Sequence, residues 1–189
     1  MIGAMNAPSI YLIRHASPDR VKKSLPYHLP PGPPLTALGR AEAYAVGDFL
    51  RNAGVRRLYS SPLERCQETA RIACQAADAC IEVDERLIEW QPEDTPESVR
   101  SRMLAIFKQV VDWNDEVNSG RSEIGLVTHG GPIAMLLESL GMEATVLASY
   151  RRFDSNNPLP PAAVWRVSQA GDGDSWSFEL AFMPEITLV

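Results

Sequence analysis

Val55-Arg56-Arg57-Leu58-Tyr59-Ser60-Ser61-Pro62-Leu63-Glu64 carries the sharpest structural signal in the chain. Residues 55–60 read as a strand that runs directly into a helix start. Ser61 suits the N-cap, Pro62 the first helical position and Glu64 the third, a capping box with a leading proline. The helix is expected to reach about Ala79. A strand leading at once into a helix is the repeating unit of an α/β sheet. Upstream, Gly54 closes a helix over 37–53, capped by Thr36, with Leu38, Ala41, Ala45, Phe49 and Leu50 among its apolar positions. Before it, residues 17–34 hold six of the fifteen prolines and form a loop, a lid or rim rather than a linker. Before that, Ser9-Ile10-Tyr11-Leu12-Ile13 is a short apolar run rich in strand formers, hence a buried strand.

Downstream, Ile81-Glu82-Val83 is a brief strand and Thr95-Pro96-Glu97 starts a helix to about Asn118. Glu123 to Thr128 is a strand, and Gly130-Gly131-Pro132 opens a helix to about Leu140. Two strands, 163–167 and 176–182, flank the turn Gly171-Asp172-Gly173-Asp174. The expected fold is α/β: three α/β/α layers, a mostly parallel central sheet and an antiparallel C-terminal edge hairpin. Residues 1–189 read as one domain, with 1–8 as a flexible tail.

The 189 residues are enough for a core without disulfide or metal. Apolar residues make up 45% and charged residues 22%, which excludes global disorder. No run of about 18 apolar residues occurs, so no membrane span is expected. The stretch from Met1 to Ile13 has no charged side chain and leads into Arg14 and His15. It lacks the basic start of a secretory signal. The net charge of −6 argues against a nucleic-acid or acidic-membrane partner. Three cysteines, Cys66, Cys74 and Cys80, fit reduced thiols and a cytoplasmic location. With no CxxC pair and only His15, His28 and His129 as histidines, no structural zinc is expected.

Ligands on such sheets bind beyond the carboxyl ends of the strands. There the first strand carries Arg14-His15, the second Ser60-Ser61 with Arg65 a turn later, and the fourth Thr128-His129. Two arginines and two histidines therefore converge. Arginine forks match phosphate oxygens, and a neutral imidazole can take a phosphoryl group covalently. The helix N-termini after residues 61 and 131 favour an anion. A carboxylic acid is still needed to protonate the leaving alcohol.

These residues lie in blocks that resemble the histidine phosphatase superfamily, also called phosphoglycerate-mutase-like. Leu12-Ile13-Arg14-His15 resembles its RHG signature, Leu35-Thr36-Ala37-Leu38-Gly39-Arg40-Ala41-Glu42-Ala43 its LTxxGxxQA, and residues 59–70 its SSPLxRAxQTA. Leu87-Ile88-Glu89 resembles the LxE after the next strand, and Val127-Thr128-His129-Gly130-Gly131 resembles VSHGG. The blocks keep the family's order across about residues 10–140. The resemblance implies His15 as the phosphorylated nucleophile, with Arg14, Arg65 and His129 as the phosphate pocket. It makes Glu89 the proton donor and calls for no metal or other cofactor. The chain departs from the pattern at Ala16, where the family has Gly. It departs again at Ser17-Pro18, with the Ser17 hydroxyl a candidate phosphate contact, and at 90–94. Asp84, Glu85 and Glu93 are alternative acids.

The expected activity is hydrolysis of a small phosphomonoester through a phosphohistidine. A phosphoglycerate-type mutase and a non-catalytic phosphate-binding module are the alternatives. His28 is expected to be an exposed loop residue, Cys66 a small core residue, and Asn156 and Asn157 turn residues. Trp90 fits either the substrate cleft or the core. Specificity is assigned to 17–34 and 89–96, and no oligomeric state is read.

Overall fold

The computed structural model describes residues 9–20, 26–117, 123–150, 159–170 and 175–185, with side chains of 113–117 excepted. The N-terminal eight residues, the turn at 171–174 and Asn156 and Asn157 lie outside the described residues. Six strands form one sheet: β1 (Ile10–Arg14), β2 (Val55–Ser60), β3 (Cys80–Val83), β4 (Glu123–Thr128), β5 (Val164–Gln169) and β6 (Trp176–Phe182). Their order is β3-β2-β4-β1-β5-β6. The first four are mutually parallel, while β5 and β6 run antiparallel at one edge. The expected α/β architecture with its C-terminal hairpin is the observed one.

Alternation along β1 divides the core in two. Ile10 and Leu12 join Ile124, Leu126 and Trp165 under helices α3 (Pro96–Val117), α4 (Gly130–Ser139) and α5 (Ala144–Ser149). Tyr11 and Ile13 face the other way, joining Leu58 and Val127 under α1 (Ala37–Asn52) and α2 (Glu64–Ala77). A period of two on a sheet covered on both faces requires this split. α1 and α2 approach so closely that a Cβ on Gly47 would lie 2.6 Å from the Ala76 Cβ and 2.9 Å from the Ala73 Cα.

Thr36 caps α1 as expected, its hydroxyl accepting from Gly39 N at 2.9 Å. The start of α2 differs from expectation. Its N-cap is Leu63, with no side-chain cap, and the helix begins at Glu64 rather than Pro62. The Ser61 hydroxyl bonds His129 Nε2 at 2.9 Å instead. The Glu64 N–H donates to the Pro31 carbonyl at 2.7 Å, so a neighbouring loop satisfies the helix start. A 3-10 turn at Glu85–Leu87 and the short α5 were not expected from the sequence.

The Pro-rich segment is pinned at both ends. Pro18 and Leu35 form an antiparallel bridge, Asp19 N donates to Pro34 O at 2.8 Å, and Leu35 N donates to Glu68 Oε2 at 2.8 Å.

Replacing Gly47 by Val forces α1 and α2 apart. Overpacking of this kind costs about 1–3 kcal/mol, so the urea midpoint falls while the slope of the transition stays the same. An unchanged midpoint contradicts this account of the α1–α2 contact.

Candidate active site

The register brings the strand ends together. Arg14 pairs with Thr128 across β1 and β4, and Ser60 pairs with Val127 across β2 and β4. β4 thus sets His129 between His15 on one side and Ser61 on the other. The His15 and His129 ring centroids lie 5.2 Å apart. Arg14, His15, Arg65 and His129 are all buried.

His15 is held at two levels. Its backbone N–H donates to Thr128 O at 2.9 Å, and its Nδ1 lies 2.8 Å from Ala16 O. A carbonyl only accepts, so Nδ1 carries the proton and Nε2 keeps its lone pair. Burial, reinforced by the Arg65 and Arg14 charges, holds the His15 pKa well below 6.5, so the ring is neutral at pH 7. Ala16 stands where the resembled pattern has glycine and needs none: it is not among the described residues with positive φ, and its N–H donates to Thr69 Oγ1 at 3.0 Å.

His129 sits at the N-cap of α4, yet its side chain makes no cap bond. Its Nδ1 lies 3.1 Å from Arg65 Nη2, which only donates, so Nδ1 accepts. The proton is then on Nε2, donated to Ser61 Oγ. Burial and the Arg65 charge keep this ring neutral too, its pKa well below 6.5.

Arg65 is fully buried, and a buried guanidinium needs compensation. Nη1 donates to Tyr27 O at 2.8 Å, the Tyr27 ring lies 4.1 Å from its charge centre, and Glu89 Oε2 is 3.6 Å from Nη2. Nε has no partner among the described residues. Arg14 donates through Nη1 to the Leu159 carbonyl.

Glu89 is the acid that reaches the cluster, with Oε2 3.4 Å from His129 Nδ1 and Oε1 accepting from Trp90 N at 3.0 Å. The alternatives do not. Asp84 is committed to Arg86, at 2.6 Å, which lowers its pKa, and Glu85 and Glu93 are exposed.

Ser17 does not join the cluster through its hydroxyl. Oγ donates to Glu42 Oε1 at 2.9 Å and its backbone N–H to Glu42 Oε2 at 2.7 Å. Its carbonyl receives the Thr36 N–H at 3.0 Å and packs against Gly39, where a Cβ would stand 2.2 Å from it. The expected anion-binding N–H groups at the start of α2 are partly diverted, since Glu64 N is held by Pro31.

Cys66 is core, as expected, and burial pushes its thiol up to about 12, so it is no thiolate nucleophile. Trp90 packs against the core on the α3–α4 side. His28 is half-buried rather than exposed, and its carbonyl accepts from Gln91 Nε2 at 2.9 Å. Tyr27, which completes the surroundings of Arg65, had no sequence signal beyond its place in a Pro-rich loop.

His15, Glu89 and His129 each offer a ligand atom within 4.8 Å of the others. The Arg65 guanidinium among them opposes a cation by Coulomb repulsion. The same charges favour a doubly negative phosphoryl group.

The fold is α/β, and two arginines, two histidines and one glutamate meet beyond the carboxyl ends of its parallel strands. Residues 10–94, a little under half of the chain, match the histidine phosphatase superfamily (branch 1), the family that the sequence blocks resemble. An uncharacterized protein of Mycobacterium tuberculosis is 36% identical over 80 residues, 42% of this chain and 39% of that one. The match thus spans about two fifths of that relative's length. "Probable phosphoglycerate mutase GpmB" of Yersinia pestis is 29% identical over 74% of this chain and 81% of its own. Among solved structures, mycobacterial glucosyl-3-phosphoglycerate phosphatase with VO3 superposes with a TM-score of 0.71 at 20% identity, covering 94% of this chain and 99% of that one. The Entamoeba histolytica phosphoserine phosphatase with 3-phosphoglyceric acid gives 0.68 at 17%, covering 90% and 94%. These structures share the fold. No helix among the described residues is long and apolar enough to cross a membrane.

The two neutral histidines make stability depend on pH. Once unfolded, each takes up a proton near its ordinary pKa of 6.5. The unfolded state therefore binds more protons below that pH, and stability rises with pH there. From pH 7 to 5 the thermal midpoint should fall, with a slope of at most about 2.7 kcal/mol per pH unit for two protons. The His15→Asn/His129→Asn double variant should flatten the curve. A wild-type midpoint constant over that range contradicts the neutral assignment.

Proposed function

We propose that the chain is a metal-independent phosphomonoester hydrolase working through a phosphohistidine at His15. The observation that carries this reading is the Nδ1 lock on the Ala16 carbonyl, which leaves Nε2 unprotonated beside two buried guanidinium groups.

In the first step His15 Nε2 attacks phosphorus, an N–P bond forms and the P–O bond to the leaving group breaks. A proton shared between the bound phosphate and Glu89 goes to the leaving oxygen, which departs as the alcohol. In the second step water attacks phosphorus, Glu89 accepts its proton, the N–P bond breaks and inorganic phosphate is released. Arg14 and Arg65 stabilise the charge on the equatorial oxygens, and the neutral His129, its one N–H given to Ser61, orients Arg65 through Nδ1. Ser17, bonded to Glu42, acts by ordering the loop after His15.

The substrate is a small phosphorylated molecule, and the protein acts in the cytoplasm. Support comes from the family match and from the names of fold neighbours: a phosphatase for a glucosyl phosphoglycerate and a phosphoserine phosphatase with bound 3-phosphoglyceric acid. The relative named as a phosphoglycerate mutase supports a second reading, in which an acceptor hydroxyl rather than water takes the phosphoryl group.

The test is hydrolysis of an aryl phosphate with and without excess chelator. Activity should resist chelation, vanish in His15→Ala and fall roughly 10²–10³-fold in Arg65→Ala, as for loss of one transition-state donor. Near-wild-type turnover by His15→Ala would sink the mechanism. Stoichiometric phosphate release distinguishes the hydrolase from the mutase.

A further inference from the structure

Glu89 lies in a stretch with neither helix nor strand, between the 3-10 turn and α3. An acid in such a stretch needs something else to hold it, because a general acid must sit within hydrogen-bond reach of the leaving oxygen. One side chain gathers most of the backbone acceptors of that stretch. Arg102 projects from the second turn of α3 into the curve of the 86–94 segment. Its Nη1 donates to Arg86 O at 2.8 Å and Ile88 O at 2.6 Å, while its Nη2 approaches Glu89 O at 3.4 Å and Asp94 Oδ2 at 3.2 Å.

The anchor is itself fixed. Asp94 Oδ2 also accepts from Gln91 N at 2.9 Å, and Oδ1 accepts from Ser98 Oγ at 2.7 Å. Both Arg102 and Asp94 are mostly buried, with side chains 16% and 13% exposed. From the other side, Thr128 Oγ1 donates to Leu87 O at 2.6 Å, tying the segment to the residue before His129. Gln91 Nε2 bridges Glu89 O and His28 O, at 2.8 and 2.9 Å, and so links it to the Pro-rich loop. Three carbonyls around the acid therefore share one guanidinium, whose hydrogen bonds among the described residues go to this segment and not to the side chains of Arg14, His15, Arg65 or His129. A lysine has a single charged nitrogen and cannot span the same acceptors.

We propose that Arg102 is a positioning residue for proton transfer: it fixes the backbone of Glu89 so that the carboxyl reaches the leaving oxygen. This rests on the reading of Glu89 as the proton donor. The consequence is specific. An alkyl phosphate cannot leave without a proton, whereas an aryl phosphate with an acidic phenol leaves with little help. Displacing Glu89 therefore harms alkyl substrates selectively. A merely structural role would lower both alike.

The experiment compares kcat/KM, which reports formation of the phosphoenzyme, for glycerol phosphate and p-nitrophenyl phosphate. Wild type, Glu89→Gln, Arg102→Met, Arg102→Lys and Asp94→Asn are assayed side by side, with thermal midpoints recorded. Glu89→Gln should lose roughly 10²–10⁴-fold on the alkyl ester and clearly less on the aryl one. Arg102→Met should lower the alkyl-to-aryl ratio by roughly tenfold or more, with Arg102→Lys intermediate. If Arg102→Met does not fold, Asp94→Asn, which releases the other end of the anchor, is read in its place and should lower the same ratio. An unchanged ratio in the folded anchor variants, alongside a lowered one in Glu89→Gln, overturns the role of Arg102 and leaves Glu89 standing. An unchanged ratio in Glu89→Gln overturns both, as does a wild type that turns over neither ester.

Discussion

Burying guanidinium charge at the end of an apolar sheet is the constraint around which this molecule is arranged. Arg65 has no exposed surface, and transferring an ion from water into such a place is prohibitive without partners. The partners come from three distant parts of the chain: a carbonyl and an aromatic face from Tyr27, a ring nitrogen from His129, and a carboxylate from Glu89. Each contact also fixes the partner. His129 must present an unprotonated Nδ1, which sends its one proton to Ser61 and sets the ring plane. Satisfying one cation thus determines a tautomer, a rotamer and the path of a loop.

The parallel sheet makes this economical. Because β4 lies between β1 and β2, three strand ends separated widely in sequence deliver side chains to one spot by register alone. The two cores below need only the alternation of β1 and β4 to stay in register. A one-residue slip would send Arg14 and Ile13 to each other's faces, so core packing and pocket geometry are specified by the same pairing.

The fold was legible because its signals are local: strand runs, the Thr36 cap and the turn residues around Gly54. The pocket residues were legible because each stands at a strand end or one turn beyond. What escaped reading depended on competition across space. Ser61 has every local mark of a helix cap, but a buried imidazole with one N–H to satisfy is the stronger claimant. Glu42 and Ser17 looked unrelated, and only the approach of Gly39 to the Ser17 carbonyl brings them together. Tyr27 and Arg102 act through carbonyl oxygens and a ring face, and no motif records such bonds.

The Pro-rich loop is also part of the cation's shell, since Tyr27 contributes both its carbonyl and its ring to Arg65, and Pro31 takes the first N–H of the helix that carries it. Sequence change across residues 26–34 therefore meets a hidden requirement: an aromatic ring must stay at position 27 and the backbone must keep its course. The side-chain constraint falls on position 27, whose ring lies over the guanidinium, while the carbonyls of Tyr27, His28 and Pro31 constrain only the path of the backbone.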